Sequence, residues 1–153
     1  MAASTIPFTS AGSTIGISAT LPATNDAAGF GAITFTPIGE VTDMGEFGRE
    51  YASVTHNPLG NRRTVKRKGS YNDGALALQM ARVPGNAGHI LILAALKLDA
   101  SSSFAVKLQD GTFMYFSAQT MSYKTGVGSV DQITTASCTL EIDNDIIEVA
   151  PTA

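Results

Sequence analysis

The sequence predicts a mainly β protein: a β-sandwich or barrel of about seven or more strands, with one helix at its flank. Three observations carry this. Apolar residues alternate with small polar ones in several separate segments, the pattern of half-buried strands. Asp-Gly pairs at 73–74 and 110–111 sit between such segments as tight turns. One stretch alone, residues 87–98, is apolar on nearly all sides, as a buried helix is.

In chain order, residues 1–12 read as an irregular Ala/Ser/Thr arm. Ile15, Ile17, Ala19 and Leu21 then alternate with small polar partners until Pro22 ends the strand. An Ala/Gly/Asn stretch, 23–32, leads into Ile33, Phe35 and Pro37, which alternate with Thr34 and Thr36, followed by the segment 38–44; together they read as a strand of moderate length. Residues 45–61 hold Gly45, Gly48, Pro58 and Gly60 without clear periodicity and read as a long loop or an extended hairpin. In 62–71 neither face is apolar, so this strand is exposed or paired with something acidic. Leu76, Leu78 and Met80 follow the Asp73-Gly74 turn as a half-buried strand, which predicts a hairpin across that turn.

Pro84-Gly85-Asn86 breaks the chain and offers Asn86 as the N-cap of the helix 87–98. Phe104, Val106 and Leu108 form one leg of a second hairpin, Asp110-Gly111 its turn, and Phe113 to Tyr123 the other leg. The last long strand puts Ala136, Cys138, Leu140 and Ile142 on one face and Thr135, Ser137, Thr139 and Glu141 on the other. Residues 146–153 form a short closing strand or arm. No internal repeat is present, and 153 residues suit one domain spanning 1–153.

Composition narrows function by exclusion. Charged residues are 15% of the chain, where about 25% is usual. Thirteen Ser and 17 Thr, with 15 Gly and 21 Ala, stand where Lys and Glu would cover an ordinary monomer. No apolar run approaches the ~18 residues of a membrane span, and the first residues lack the basic and apolar regions of a secretion signal. Neither a membrane nor secretion is expected.

Catalytic chemistry has little to work with. His56 and His89 lack a third ligand at metal spacing, so both read as structural or solvated. Cys138 lies on an apolar strand face and reads as a buried, inert thiol. No nucleophile elbow, phosphate loop or dinucleotide fingerprint appears. The expectation is no enzyme, no metal and no cofactor.

Charge is instead concentrated. Glu40, Asp43, Glu46 and Glu50 surround Arg49 in one segment, whereas Arg62, Arg63, Lys66, Arg67 and Lys68, half of the ten basic residues, fall within seven positions. Three readings fit: the two groups neutralise each other within the subunit, dock on another copy, or contact nucleic acid.

The run Glu40-Val41-Thr42-Asp43-Met44-Gly45-Glu46-Phe47-Gly48, a Tyr-containing loop, Lys66-Arg67-Lys68-Gly69-Ser70 and the Asp73-Gly74 turn together resemble the major tail tube proteins of long-tailed, non-contractile phages and phage-like gene transfer particles. The resemblance covers about Ser13 to Val149 and lies in the order of features. It implies a β-sandwich subunit, six of which close into a ring, with rings stacking into a hollow conduit through which DNA passes during injection. About four strands per subunit would give an inner barrel of about 24 strands; at ~4.8 Å spacing and ~40° tilt, its backbone diameter is near ~48 Å.

The resemblance makes Glu40, Asp43, Glu46, Phe47, Arg49, Glu50, Tyr51, Arg62, Arg63, Lys66, Arg67 and Lys68 candidates for inter-subunit and inter-ring contact. Ile90, Leu93 and Leu96 become candidates for a helix face at a neighbour. Gln79, Asp110, Gln119, Thr135, Thr139 and Glu141 become candidates for the lumen wall. The implied partners are other copies of the chain, the tape measure, tail tip and terminator proteins, and duplex DNA held transiently and without sequence preference. The implied location is the tail of a virion, after synthesis in the host cytoplasm. The alternatives are a tube protein of a type VI secretion or contractile system, a capsid-decorating or carbohydrate-binding β-sandwich, and an OB-like nucleic-acid binder. With no Trp in the chain, few aromatics remain for stacking bases or sugars.

Overall fold

Which strands gather into one sheet follows from which of them own an apolar face. The computed structural model describes residues 3–151. Its elements, in chain order, are β1 (Thr14–Ser18), α1 (Ala27–Gly31), β2 (Thr36–Pro37), β3 (Val41–Asp43), β4 (Glu50–His56), β5 (Val65–Asn72), β6 (Ala75–Ala81), α2 (Ala87–Leu96), β7 (Ser102–Lys107), β8 (Phe113–Gly126), β9 (Thr135–Ile142) and β10 (Ile147–Val149). The strands with one apolar face build a single antiparallel sheet in the order β2-β1-β7-β8-β9-β6-β3. The fold is thus mainly β, with a large curled sheet and two helices. β4 and β5, which have no such face, pair only with each other as a two-stranded ribbon.

β8 is the spine of the sheet. Its first half pairs with β7 on one side and β10 on the other, and its second half pairs with β9. At ~3.3 Å per residue its 14 residues run about 46 Å. The inward alternation supplies the core: Ile15 and Ile17 from β1, Leu76, Leu78 and Met80 from β6, Phe104 and Val106 from β7, Ala136, Cys138 and Leu140 from β9. Phe116 of β8 stacks on Phe104 with ring centroids 5.6 Å apart, and Phe47 closes over it at 5.5 Å.

The sheet curls until its edges approach, and the chain crosses between them. Ile38 N–H donates to Ile15 O beside β1, and two residues later Glu40 O accepts from Ala81 N–H beside β6, both at 2.9 Å. Glu40 makes this corner in the left-handed region (φ 60°), unusual for a residue with a side chain. The start of α2 pins the crossing. Asn86 caps the helix by accepting from Gly88 N–H at 3.0 Å and also accepts from Gly39 N–H at 3.4 Å. Gly88 lies so close to Pro37 and Ile38 that a Cβ would meet their backbone at 2.5 and 2.7 Å. His89, buried, donates from Nε2 to Gly39 O at 2.9 Å, which leaves Nδ1 to accept from Val83 N–H and the Tyr123 hydroxyl, each at 3.4 Å. His89 is therefore structural, as its isolation in the sequence implied, and His56 is exposed at the end of β4.

Several local expectations are corrected. The Asp73-Gly74 turn exists, with Gly74 at φ 86°, but it does not close a hairpin. β5 turns back onto β4, while β6 sits between β9 and β3. The reason is burial: Leu76, Leu78 and Met80 must enter the core, and β5 has nothing to bring there. Residues 50–56, within the stretch read as loop or hairpin, form β4, so the hairpin reading is the one realised. The strand of moderate length expected over 33–44 is broken into β2 and β3 by the crossing at 38–40, and Phe30 and Phe35 stack on Tyr115, at 5.5 and 5.9 Å. α1 was not expected at all. The helix expected over 87–98 ends at Leu96, with Lys97 as its C-cap. Of the two arms, residues 3–12 contain no strand and β10 is the closing strand; residues 1, 2, 152 and 153 lie outside the described residues.

Candidate assembly surfaces

Three surfaces carry the candidate residues. The first is the ribbon. Every residue of β4 is exposed, and only Val65 and Gly69 of β5 are half-buried. Lys66, Arg67 and Lys68 stand opposite Thr55, Val54 and Ser53, while Arg62 and Arg63 occupy the connection at the far end. The ribbon is braced by Tyr51 against Tyr71, centroids 5.4 Å apart, with Lys68 Nζ 4.6 Å from the Tyr51 centroid.

Neutralisation within the subunit is not what this geometry provides. Among the described residues, no ion pair joins Glu40, Asp43, Glu46 or Glu50 to the basic cluster. The carboxylates stay near the body: Asp43 accepts from Gly45 N–H at 2.7 Å, and Glu50 faces Asn72 at the ribbon's base. Phe47 is half-buried and packs against Phe116 at the margin of the core. Arg49 bonds to Asp73 and Asp145 of its own subunit.

The second surface is the outer side of α2. Gly88, His89, Ile92 and Ala95 face the sheet; Ile90 is 52% exposed, and Leu93 and Leu96 are half-buried. An apolar stripe therefore remains on the outside of the subunit, continued by Leu98 at 59% exposure.

The third is the polar face of the sheet opposite the core. Register aligns Gln119, Glu141 and Ala75 in one row, Ser122, Thr139 and Ala77 in the next, then Lys124, Ser137 and Gln79, with Thr135 beyond. Five of the six lumen candidates, Gln79, Gln119, Thr135, Thr139 and Glu141, thus lie on one sheet face, and no single-sign cluster of charge lies among them. Asp110 is the exception. It sits in the β7–β8 turn, accepting from Thr112 N–H at 3.0 Å and Ser4 N–H at 3.2 Å. Those bonds, the Thr112 amide first, hold its carboxyl below the usual aspartate range.

Among the described residues, no group of three or more His, Cys, Asp or Glu side chains is placed to hold a metal ion. Cys138 is buried, and burial pushes its thiol up to about 12, so at neutral pH it is a protonated packing group. Among the described residues, no helix is long and apolar enough to cross a membrane.

No protein-family profile matches the chain, and no curated protein matches it significantly. Solved structures do match its fold. A chain in the anti-feeding prophage baseplate superposes with a TM-score of 0.73 at 13% identity, covering 98% of this chain and 100% of that one. A chain in the sheath/tube terminator of the PVC extracellular contractile injection system gives 0.66 at 13%, covering 97% and 100%. A chain of the PVC sheath-tube complex gives 0.65 at 13%, covering 95% and 93%. The fold is therefore one found in components of phage-tail-like contractile injection systems, and it is shared over nearly the full length of each partner in the comparison.

Proposed function

We propose that the chain is a structural subunit of a phage-tail-like tube, whose copies close into rings of six that stack into a hollow conduit. The observation that carries this reading is the end-to-end fold match to chains of tail-like assemblies, including one from a sheath-tube complex. The surfaces agree with it. A chain with few charges, an apolar stripe outside α2 and a ribbon without a core has much surface suited to becoming interface. Heterologous contacts that close in one direction and remain open in the other generate tubes. The polar face of β6, β8 and β9, bearing Gln79, Gln119, Thr135, Thr139 and Glu141, then lines the conduit. Without a basic patch it would let duplex DNA slide past instead of holding it, because each added phosphate contact strengthens salt-dependent retention.

A contractile system is the second reading, favoured by the origin of the matched structures. In it the same tube would run inside a sheath and would belong to an injection particle.

Size determination followed by negative-stain microscopy of the concentrated protein tests the proposal. Rings with six-fold symmetry and tubes are expected. A compact monomer at every concentration, with no tubes, would refute it. Sheath around tubes in particles from the source organism would favour the second reading.

A further inference from the structure

The ribbon and the body are joined by two short connections, 44–49 and 72–74, each with a glycine in the left-handed region: Gly45 at φ 68° and Gly74 at φ 86°. β4 and β5 pack extensively on each other, and among the described residues neither packs comparably on any other helix or strand. Burial of apolar surface, which orients every strand of the main sheet, therefore does not set the ribbon's direction.

One side chain stands at the joint. Both ion pairs among the described residues belong to Arg49: Nε to Asp73 Oδ1 at 3.3 Å, and Nη2 to Asp145 Oδ1 at 2.9 Å. The same guanidinium covers the Tyr71 ring at 4.1 Å, and the Tyr71 hydroxyl donates to Asp145 at 3.3 Å. Tyr71 belongs to the ribbon, whereas Asp145 lies between β9 and β10 in the body, and Asp73, 6% exposed, begins the return to β6. A planar fork with several donors can engage two carboxylates and a ring face together, which a lysine cannot. The pair with Asp145 is exposed at both ends and weak alone, whereas in the pair with Asp73 the carboxylate is buried and the Arg49 side chain remains 37% exposed.

We propose that Arg49 is a positioning residue that latches the ribbon at one angle to the body, so that the subunit offers its basic tip to a neighbouring copy already oriented. The partner is a second copy because the chain's net charge is −3: with the five cations of 62–68 set apart, the remaining residues carry −8. The consequence for assembly rests on the tube reading, but the latch is a property of the isolated subunit. A ribbon swinging on Gly45 and Gly74 would have to be ordered at each docking event, and that lost freedom weakens association.

The test places nitroxide labels at Leu59→Cys, in the ribbon's far connection, and Ala100→Cys, on the body. Both positions are exposed, and buried Cys138 stays unlabelled at neutral pH. Pulsed EPR on dilute subunits should give one narrow distance for the otherwise native chain. Arg49→Ala combined with Asp73→Asn, which avoids leaving a buried charge alone, should broaden it, and Arg49→Lys should fall between. The double variant should also raise the concentration needed for assembly roughly tenfold. A broad distribution in the native background, or an unchanged narrow one in the double variant, overturns the latch. Should the double variant fail to fold, Asp145→Ala decides by the same readout: broadening supports the latch and an unchanged peak overturns it. If the native chain forms no tubes, the proposed function fails while the distances still judge the latch.

Discussion

The body and the ribbon are both antiparallel β structure, yet different forces hold them. In the body each long strand gives one face to a shared core; Phe104, Phe116, Leu76, Leu78 and Leu140 are all fully buried. In the ribbon neither face is covered, and an isolated two-stranded hairpin is marginal in water. What braces the ribbon is local: the Tyr51–Tyr71 pair, Lys68 over one ring and Arg49 over the other. Residues in the body answer to the stability of the subunit. Those in the ribbon share no core, and among the described residues its five clustered cations form no ion pair, which leaves them free for the docking role proposed above.

The comparison is broken most sharply by separating assembly from folding. Reversing Arg62, Arg63, Lys66, Arg67 and Lys68 to Glu together should abolish tubes in micrographs, while the subunit's free energy of unfolding in urea changes by no more than about 0.5 kcal/mol. Unimpaired assembly would remove the docking role from the ribbon. Phe116→Ala should do the reverse, destabilising the subunit by about 3–5 kcal/mol in equilibrium unfolding, because it opens a cavity between Phe47 and Phe104. Gly88→Ala should cost about 1–3 kcal/mol by the same measurement, since its Cβ would press on backbone atoms of Pro37 and Ile38 that the core holds in place.

Alkaline titration gives a further contrast of similar size. The Cys138 thiol, ordinarily at 9.0, is pushed up to about 12 by burial in the body, and burial also raises Tyr115 and Tyr123. The unfolded chain therefore loses its protons first. Stability should be unaffected by these groups below about pH 9 and fall as pH rises from there toward 12. The loss should reach about 1–2 kcal/mol by pH 10.5 in urea titrations, and Cys138→Ala should lessen the pH dependence. The smallest effect belongs to the ribbon. Gly69→Ala places a Cβ 2.8 Å from Val54 Cγ2, an exposed side chain free to rotate away, and should change subunit stability by less than about 0.5 kcal/mol.

Much of the body was legible because its signals are local. Alternation along 75–81 and 135–142 states which side chains face inward, and those residues are buried as the pattern implies. The Asp110-Gly111 turn names its own partners, since β7 and β8 pair with Lys107 opposite Phe113. The Asn86 cap marks the start of α2. α1 escaped because five residues, two of them glycine, carry no apolar period; its trace in the sequence was Asp26, whose carboxylate accepts from Gly29 N–H at 2.7 Å. Among the candidate site residues, alternation puts five polar ones on the strand faces opposite the apolar ones, yet it could not show that three strands would align them on a common surface.

The sequence by itself determined the class of the fold, the two faces of each long strand, the helix with its cap, and the concentration of positive charge in 62–68. All of these follow from neighbours within a few positions. Only the tertiary structure decided that β5 leaves the Asp73-Gly74 turn for β4, that Phe47 packs against the core, that the crossing at 38–40 is held by His89 and Asn86, and that Arg49 gathers Asp73 and Asp145. These depend on residues up to 96 positions apart, as Arg49 and Asp145 are. Which distant groups meet is settled by how a whole sheet must curl to bury its apolar face, a condition no single segment contains.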